Sequence, residues 1–222
     1  SISGVKRLSD YTRDEASQMM VDPSWTKAMF VRNPKSRILS AYLDKAVAHS
    51  KKFKKQQCRT YARKGGLYED CVERHTDFDF FVHNIITTWD NVHWMPIYER
   101  IDEKWWPYMS FVSNMENLSH DTELFLKSIH STVNGESAWE RSGKTGWSEN
   151  VRDCDVVGKD AFLAVKDKDH HTNAEDKFKR YYTPDLERFI ERYYWKDYSN
   201  PYYHFSPLKI FPNIATQPAG KP

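Results

Sequence analysis

The stretch FVRNPKSRILSAYLDK, residues 30–45, constrains the fold more than any other part of the chain. It follows a short apolar-rich run, Thr26 to Val31 (TKAMFV), which stops at Arg32-Asn33-Pro34. Such a run bounded by turn residues predicts a buried strand. Pro34 has no backbone N–H, so the ladder ends there and the chain must turn. From Ser36 the period becomes helical: Ile38, Leu39, Tyr42, Leu43, Ala46 and Val47 recur at three- and four-residue steps. In open α/β sheets, ligands bind in the crevice beyond the carboxyl ends of the strands. The switch delivers Arg32 to such an edge and puts Ser40 in the first turns of the next helix. An Arg fork, a Ser hydroxyl and backbone N–H groups near a helix start form a phosphate cradle. Singly, Arg32 reads as a surface residue and Ser40 as a helical one. Their joint placement is what points to an anion.

The rest of the chain continues the alternation. Residues 12–20 (TRDEASQMM) predict a short helix capped by Thr12 and ended by Pro23. Residues 56–76 read as a polar, Gly-containing excursion. Phe78 to Trp89 predicts an apolar helix, Tyr108 to Val112 a second strand, and Asp121 to Val133 an amphipathic helix. Residues 134–160 read as a long loop of the kind that carries function. Thr183, Pro184 and Asp185 supply the cap, first position and acidic first turn of a last helix ending at Tyr198. Strands alternating with helices predict an α/β domain with a mostly parallel central sheet flanked by helices.

Composition narrows the function classes. The chain has 222 residues, which suits one domain, and 15% aromatic residues, which argues against disorder. The formal net charge is +2, so nucleic acid is not an expected partner. The densest basic run, His49 to Lys55 (HSKKFKK), reads first as a solvated helix end and second as a contact for an acidic ligand. No apolar run approaches the ~20 residues of a membrane span. Ser1-Ile2-Ser3-Gly4 is not a signal peptide and Ser1 is not Met, so the gene product is expected to start upstream. Three cysteines leave three readings open: a local Cys58–Cys71 bridge, free thiols, or a zinc site with His75. Gly143-Lys144-Thr145 lacks the earlier Gly and leading strand of a Walker loop, which disfavours a P-loop kinase.

The segment 30–45 also closely resembles the 3′-phosphate-binding motif of Golgi carbohydrate sulfotransferases, the family of the HNK-1, chondroitin and dermatan enzymes. That motif reads roughly F-V-R-x-P-x-x-R-L-x-S-A-Y-x-D-K, and Phe30, Val31, Arg32, Pro34, Arg37, Ser40, Ala41, Tyr42, Asp44 and Lys45 match it. His93-Trp94-Met95-Pro96 resembles the family's H-W-x-P, although Ile97 stands where Gln is usual. Tyr108 to Leu118 is similar to Y-x-F-I-x-x-x-E-N-L. Thr172-Asn173-Ala174 with Lys177, Tyr181-Tyr182-Thr183-Pro184, and Tyr194 with Asp197 and Tyr198 resemble the closing motifs. The likeness covers about residues 5 to 205.

The resemblance implies a P-loop-like sulfotransferase fold and a carbohydrate hydroxyl as acceptor. It implies the sulfate donor PAPS (3′-phosphoadenosine 5′-phosphosulfate), the product PAP, and no metal. Arg32 and Ser40 would hold the 3′-phosphate. The location would be the Golgi lumen, in a type II membrane protein whose anchor lies outside these residues. There, Cys58 and Cys71 are expected to be bonded, with Cys154 free or paired outside the chain, and Asn117-Leu118-Ser119 is a glycosylation sequon. The family's loop for the 5′-phosphosulfate has no counterpart before Arg32. The expectation is therefore a sulfotransferase domain at 1–205 lacking that loop, followed by an irregular tail at 206–222. Such a chain would bind PAP without transferring sulfate, and would be less soluble than one extended upstream. The alternative is a non-catalytic PAP/PAPS-binding or glycan-binding domain derived from the family.

Sulfuryl transfer needs cations for charge on the non-bridging oxygens, an in-line acceptor and a base titrating near neutrality. His93 is the candidate base because it lies in a matching motif. Asp10, His49, His83 and His171 are weaker candidates. Trp94, Trp105 and Trp106 could line a sugar site or fill the core. Lys35 has no assigned role and is expected to matter less than Arg32 for PAP binding.

Overall fold

The structure is a computed structural model that describes residues 6–129, 174, 177–205 and 209–211. The chain divides into two compact units, Ser1–Val31 with Ile101–Val165, and Arg32–Arg100 with Lys166–Pro222.

In the first unit, α1 (Arg13–Val21) starts at a reciprocal cap: Glu15 N–H donates to the Thr12 hydroxyl at 3.3 Å, and Thr12 N–H to the Glu15 carboxylate at 2.8 Å. Strands β1 (Ala28–Val31) and β2 (Phe111–Asn114) pair in parallel, with Ala28 opposite Phe111 and Val31 opposite Asn114. Both start later than the sequence predicts. Lys27 O takes the N–H groups of Ser110 and Phe111, and Tyr108 ends a 3₁₀ turn, Glu103–Tyr108, that contains Pro107. Helix α7 (Leu118–Ser128) packs on this pair through Phe125, whose ring lies 6.2 Å from Phe30 and 5.1 Å from Phe111. The expected α/β mixture is present. Among the described residues, however, its sheet is this one pair rather than a larger flanked sheet.

The second unit begins with α2 (Pro34–Ala41). Asn33 accepts the Lys35 N–H at 3.0 Å and Pro34 takes the first position, so the helix starts two residues before the periodic signal. It continues as a π-helical stretch, Tyr42–Ala48, closed by His49 N–H donating to Asp44 O, five residues back. Ile38, Leu39, Tyr42 and Ala46 pack into one core with Phe78, Phe81, Ile85, Leu186, Ile190 and Tyr194. The predicted apolar helix is three consecutive pieces: α5 (Phe78–Phe80), a π-helical stretch (Phe81–Ile85) and α6 (Ile86–Thr88). Helix α8 (Phe178–Tyr181) precedes α9 (Pro184–Tyr193), which Thr183 caps; a break at Tyr194 separates α9 from α10 (Trp195–Tyr198).

Residues 56–76 correct the sequence reading. They belong to two helices, α3 (Ser50–Arg63) and α4 (Tyr68–Arg74), joined by a turn in which Gly65 adopts φ +96°. Helix α3 buries Phe53, Gln57 and Cys58. A buried Gln and a Cys in that stripe hide its amphipathic character from a hydropathy reading. Cys58 and Cys71 form a disulfide with Cα atoms 5.4 Å apart, which excludes the zinc and free-thiol readings for these two residues. Cys154 lies outside the described residues. The bridge closes a loop of sequence separation 13, so Cys58→Ser/Cys71→Ser should lower stability by about 2–3 kcal/mol. Urea denaturation of the two proteins measures it, and equal midpoints would contradict a structural role.

Candidate anion-binding and transfer site

The start of α2 is fixed by groups distant in sequence. Arg32 is the first residue after β1 and is half-buried. Asn33 is buried, and its side-chain oxygen accepts both the Lys35 N–H and the Tyr198 hydroxyl, the latter at 3.2 Å. Lys35 is 1% exposed. Its ammonium donates to Glu187 at 2.6 Å and to Glu191 at 2.7 Å, both on α9, and its carbonyl accepts the Tyr182 hydroxyl at 2.8 Å. Glu187 also accepts the N–H groups of Ile210 and Phe211. Burial alone would raise the Glu191 carboxyl, but hydrogen bonds and charge from Lys35 and Lys209 outweigh it and hold the group below its usual range. Lys35 is thus committed to internal ion pairs, whereas Arg32 and Ser40, both half-buried, keep surface toward solvent.

Ser40 sits in the second turn of α2, one turn beyond Arg37. Arg37 reaches Asp197 at 3.5 Å and lies 5.6 Å from the centre of the Tyr194 ring. Asp197 is fully buried and accepts the N–H groups of Ile97 and Tyr98 at 2.9 Å each and the Tyr203 hydroxyl at 3.0 Å. These bonds fasten the segment that follows His93-Trp94-Met95-Pro96. At position 97 the main chain makes the contact, so Ile97 in place of Gln costs no hydrogen bond to Asp197.

His93 is exposed, and its N–H donates to the Asn91 side chain at 3.0 Å. Enough protein surrounds the ring that partial desolvation lowers its pKa below 6.5, with Lys45 and Arg100 adding to the effect and Asp44 opposing it. Asp44 and Lys45, paired at 2.7 Å, lie on the π-helical stretch that continues the helix of Ser40. His93 is therefore within electrostatic reach of that helix. The imidazole is neutral at pH 7 and can accept a proton, beside a cation that can face developing negative charge. Because its pKa is lowered, the neutral base form predominates at neutral pH and is lost only in more acidic solution than for an ordinary imidazole. Any His93-dependent rate should therefore level off by about neutral pH and fall in acid. A pH–rate profile that keeps rising through pH 8 would remove His93 from the role.

The other candidates separate clearly. Trp94 and Trp106 are buried at 1% and 2% exposure, so neither can stack on a sugar; the Trp94 indole N–H donates to Trp89 O at 2.8 Å. Trp105 is half-buried. His49 pairs with Asp44 at 2.8 Å, and His83 pairs with Asp79 at 3.3 Å. Asp10 accepts the Arg7 N–H. His171 and Gly143-Lys144-Thr145 lie outside the described residues. Sequence reasoning missed Lys35, Glu187 and Glu191. The acids stand four apart on one strongly amphipathic helix, the single signal that could have flagged them.

Residues 1–205 match a family model described as Sulfotransferase family. No curated protein and no solved structure matches the chain.

Proposed function

The chain belongs to the sulfotransferase family, and on that premise we propose that it moves a sulfuryl group from PAPS to a hydroxyl of a carbohydrate. The observation that carries this reading is the strand-to-helix junction. Arg32 follows β1, Asn33 caps α2, and Lys35 locks that cap to α9 through two carboxylates. The result is a pre-set backbone on which Arg32 and Ser40 stay accessible. In the proposed role they hold the 3′-phosphate through charge-assisted and hydroxyl hydrogen bonds. His93 accepts the acceptor's hydroxyl proton as that oxygen attacks sulfur, and the S–O bond to PAP breaks in line. A P-loop-like fold belongs to the same proposal. The Cys58–Cys71 bridge supports a secretory location, since such bonds persist in oxidising compartments.

The test is transfer from radiolabelled PAPS to a panel of glycans, using protein extended upstream of Ser1. Label in a glycan that depends on the protein and falls when excess unlabelled PAP is added supports the reading. Label in none, with PAP still bound, leaves the non-catalytic binding domain. Label on a tyrosine peptide instead would replace the acceptor class.

A further inference from the structure

Helix α3 carries a charge pattern that the transfer site does not use. Its 14 residues, SKKFKKQQCRTYAR, contain no acid. Lys51, Lys55, Arg59 and Arg63 recur at four-residue steps and all are exposed, while Phe53 and Gln57 are buried on the opposite side. Four residues advance a helix about 6 Å and turn it about 40° past a full turn, so the row runs roughly 18 Å while winding gently across the exposed side. Lys64 extends it. Among the described residues none of these cations is in an ion pair. Some exposed cations elsewhere are paired, Lys127 with Glu123, Arg74 with Asp77 and Lys209 with Glu191, while others, such as Lys179 and Lys196, are single charges rather than members of a row. Glu69, Asp70 and Glu73 on α4 also leave the row unpaired, although the Cys58–Cys71 bridge ties the two helices together. After burial, Lys54 is the next cause lowering the pKa of His75, a sign of the same local field.

We propose that this face of α3 is a docking strip for a linear acidic polysaccharide, separate from the transfer site. The row is tied to α4 by the disulfide and has no ion-pair partner among the described residues, and it sits on a chain whose total charge is only +2, so the positive field is local. A membrane surface is disfavoured because the helix's apolar side is already in the core and its exposed positions are Lys, Gln and Arg. Single-stranded nucleic acid is disfavoured because no exposed aromatic residue on α3 offers a base-stacking platform. The choice of a glycan rests on the proposed function. The strip would hold the chain end being sulfated, or a neighbouring stretch of it, and raise its local concentration.

The probe is heparin, used immobilised in a salt gradient and free in calorimetry. The variant K51Q/K55Q/R59Q/R63Q should elute at clearly lower salt, with heparin affinity reduced at least about tenfold and a shallower salt dependence. PAP affinity should be unchanged. The comparison variant K104Q/K127Q/K179Q/K196Q removes as many exposed charges elsewhere and should elute close to the parent. Co-elution of the α3 variant with the parent, or an equal shift for both variants, would overturn the strip. Better competition by duplex DNA or anionic vesicles than by heparin would overturn the choice of glycan. If PAP fails to bind the parent while the α3 effect stands, the transfer reading falls and the strip does not.

Discussion

Lys35→Met should lower the stability of the chain by about 3–5 kcal/mol, a fall of roughly 6–20 °C in thermal midpoint. The substitution keeps the side chain's length and removes its charge. Glu187, whose side chain is 6% exposed, would then be a buried carboxylate without its cation, and Glu191 would lose the nearer of its two. Breaking one side of a buried ion pair costs far more than the pair itself contributes. The deficit should depend on pH. Glu191 titrates below its ordinary value in the folded chain, so its contribution is present above about pH 4.5 and is lost as pH falls through the lowered folded value. The two melting curves should therefore converge in acid. Arg188→Ala, which breaks the exposed Arg188–Asp185 pair, should cost under about 1 kcal/mol. A Lys35 variant no worse than the Arg188 variant would show that the start of α2 is not held from α9.

That ion pair also marks the limit of what sequence could reveal. The strand-to-helix switch at Arg32-Asn33-Pro34 was legible because its causes are local: a missing N–H, an Asx cap and a change of period. The caps at Thr12 and Thr183 were legible for the same reason. Lys35 finds Glu187 across a sequence separation of 152, and Asp197 finds Ile97 across 100; nothing local announces either. Helices α3 and α4 were read as an irregular excursion because their inward stripe includes Gln57, Cys58 and Cys71. Their many polar and charged residues dominated the composition of the segment. The same charges, once placed on a helix, become the ordered row of Lys51, Lys55, Arg59 and Arg63. His93 was chosen from a motif; its nearness to Lys45 and Asp44 needed the fold.

The second large effect concerns the phosphate contact. Arg32→Ala removes the cationic fork proposed to hold the 3′-phosphate, and charge-assisted hydrogen bonds of this kind contribute roughly 1.5–3 kcal/mol. PAP affinity should fall about tenfold to a hundredfold. Combining it with Ser40→Ala should reduce binding further, to a total of roughly a hundredfold or more. Arg32 is half-buried and Ser40 is half-buried on a helix whose start is anchored by other residues, so the thermal midpoint of the double variant should stay within a few degrees of the parent. The contrast with Lys35 is the point: Lys35 holds the helix through ion pairs, and the proposed role of the other two is to meet the ligand. The most direct measurement is a calorimetric titration of PAP into the parent chain, Arg32→Ala and Arg32→Ala/Ser40→Ala, with melting curves on the same samples. One saturable site in the parent, progressively weakened while the midpoints hold, is the predicted result. No PAP binding by the parent, or equal affinity in all three proteins, would contradict it.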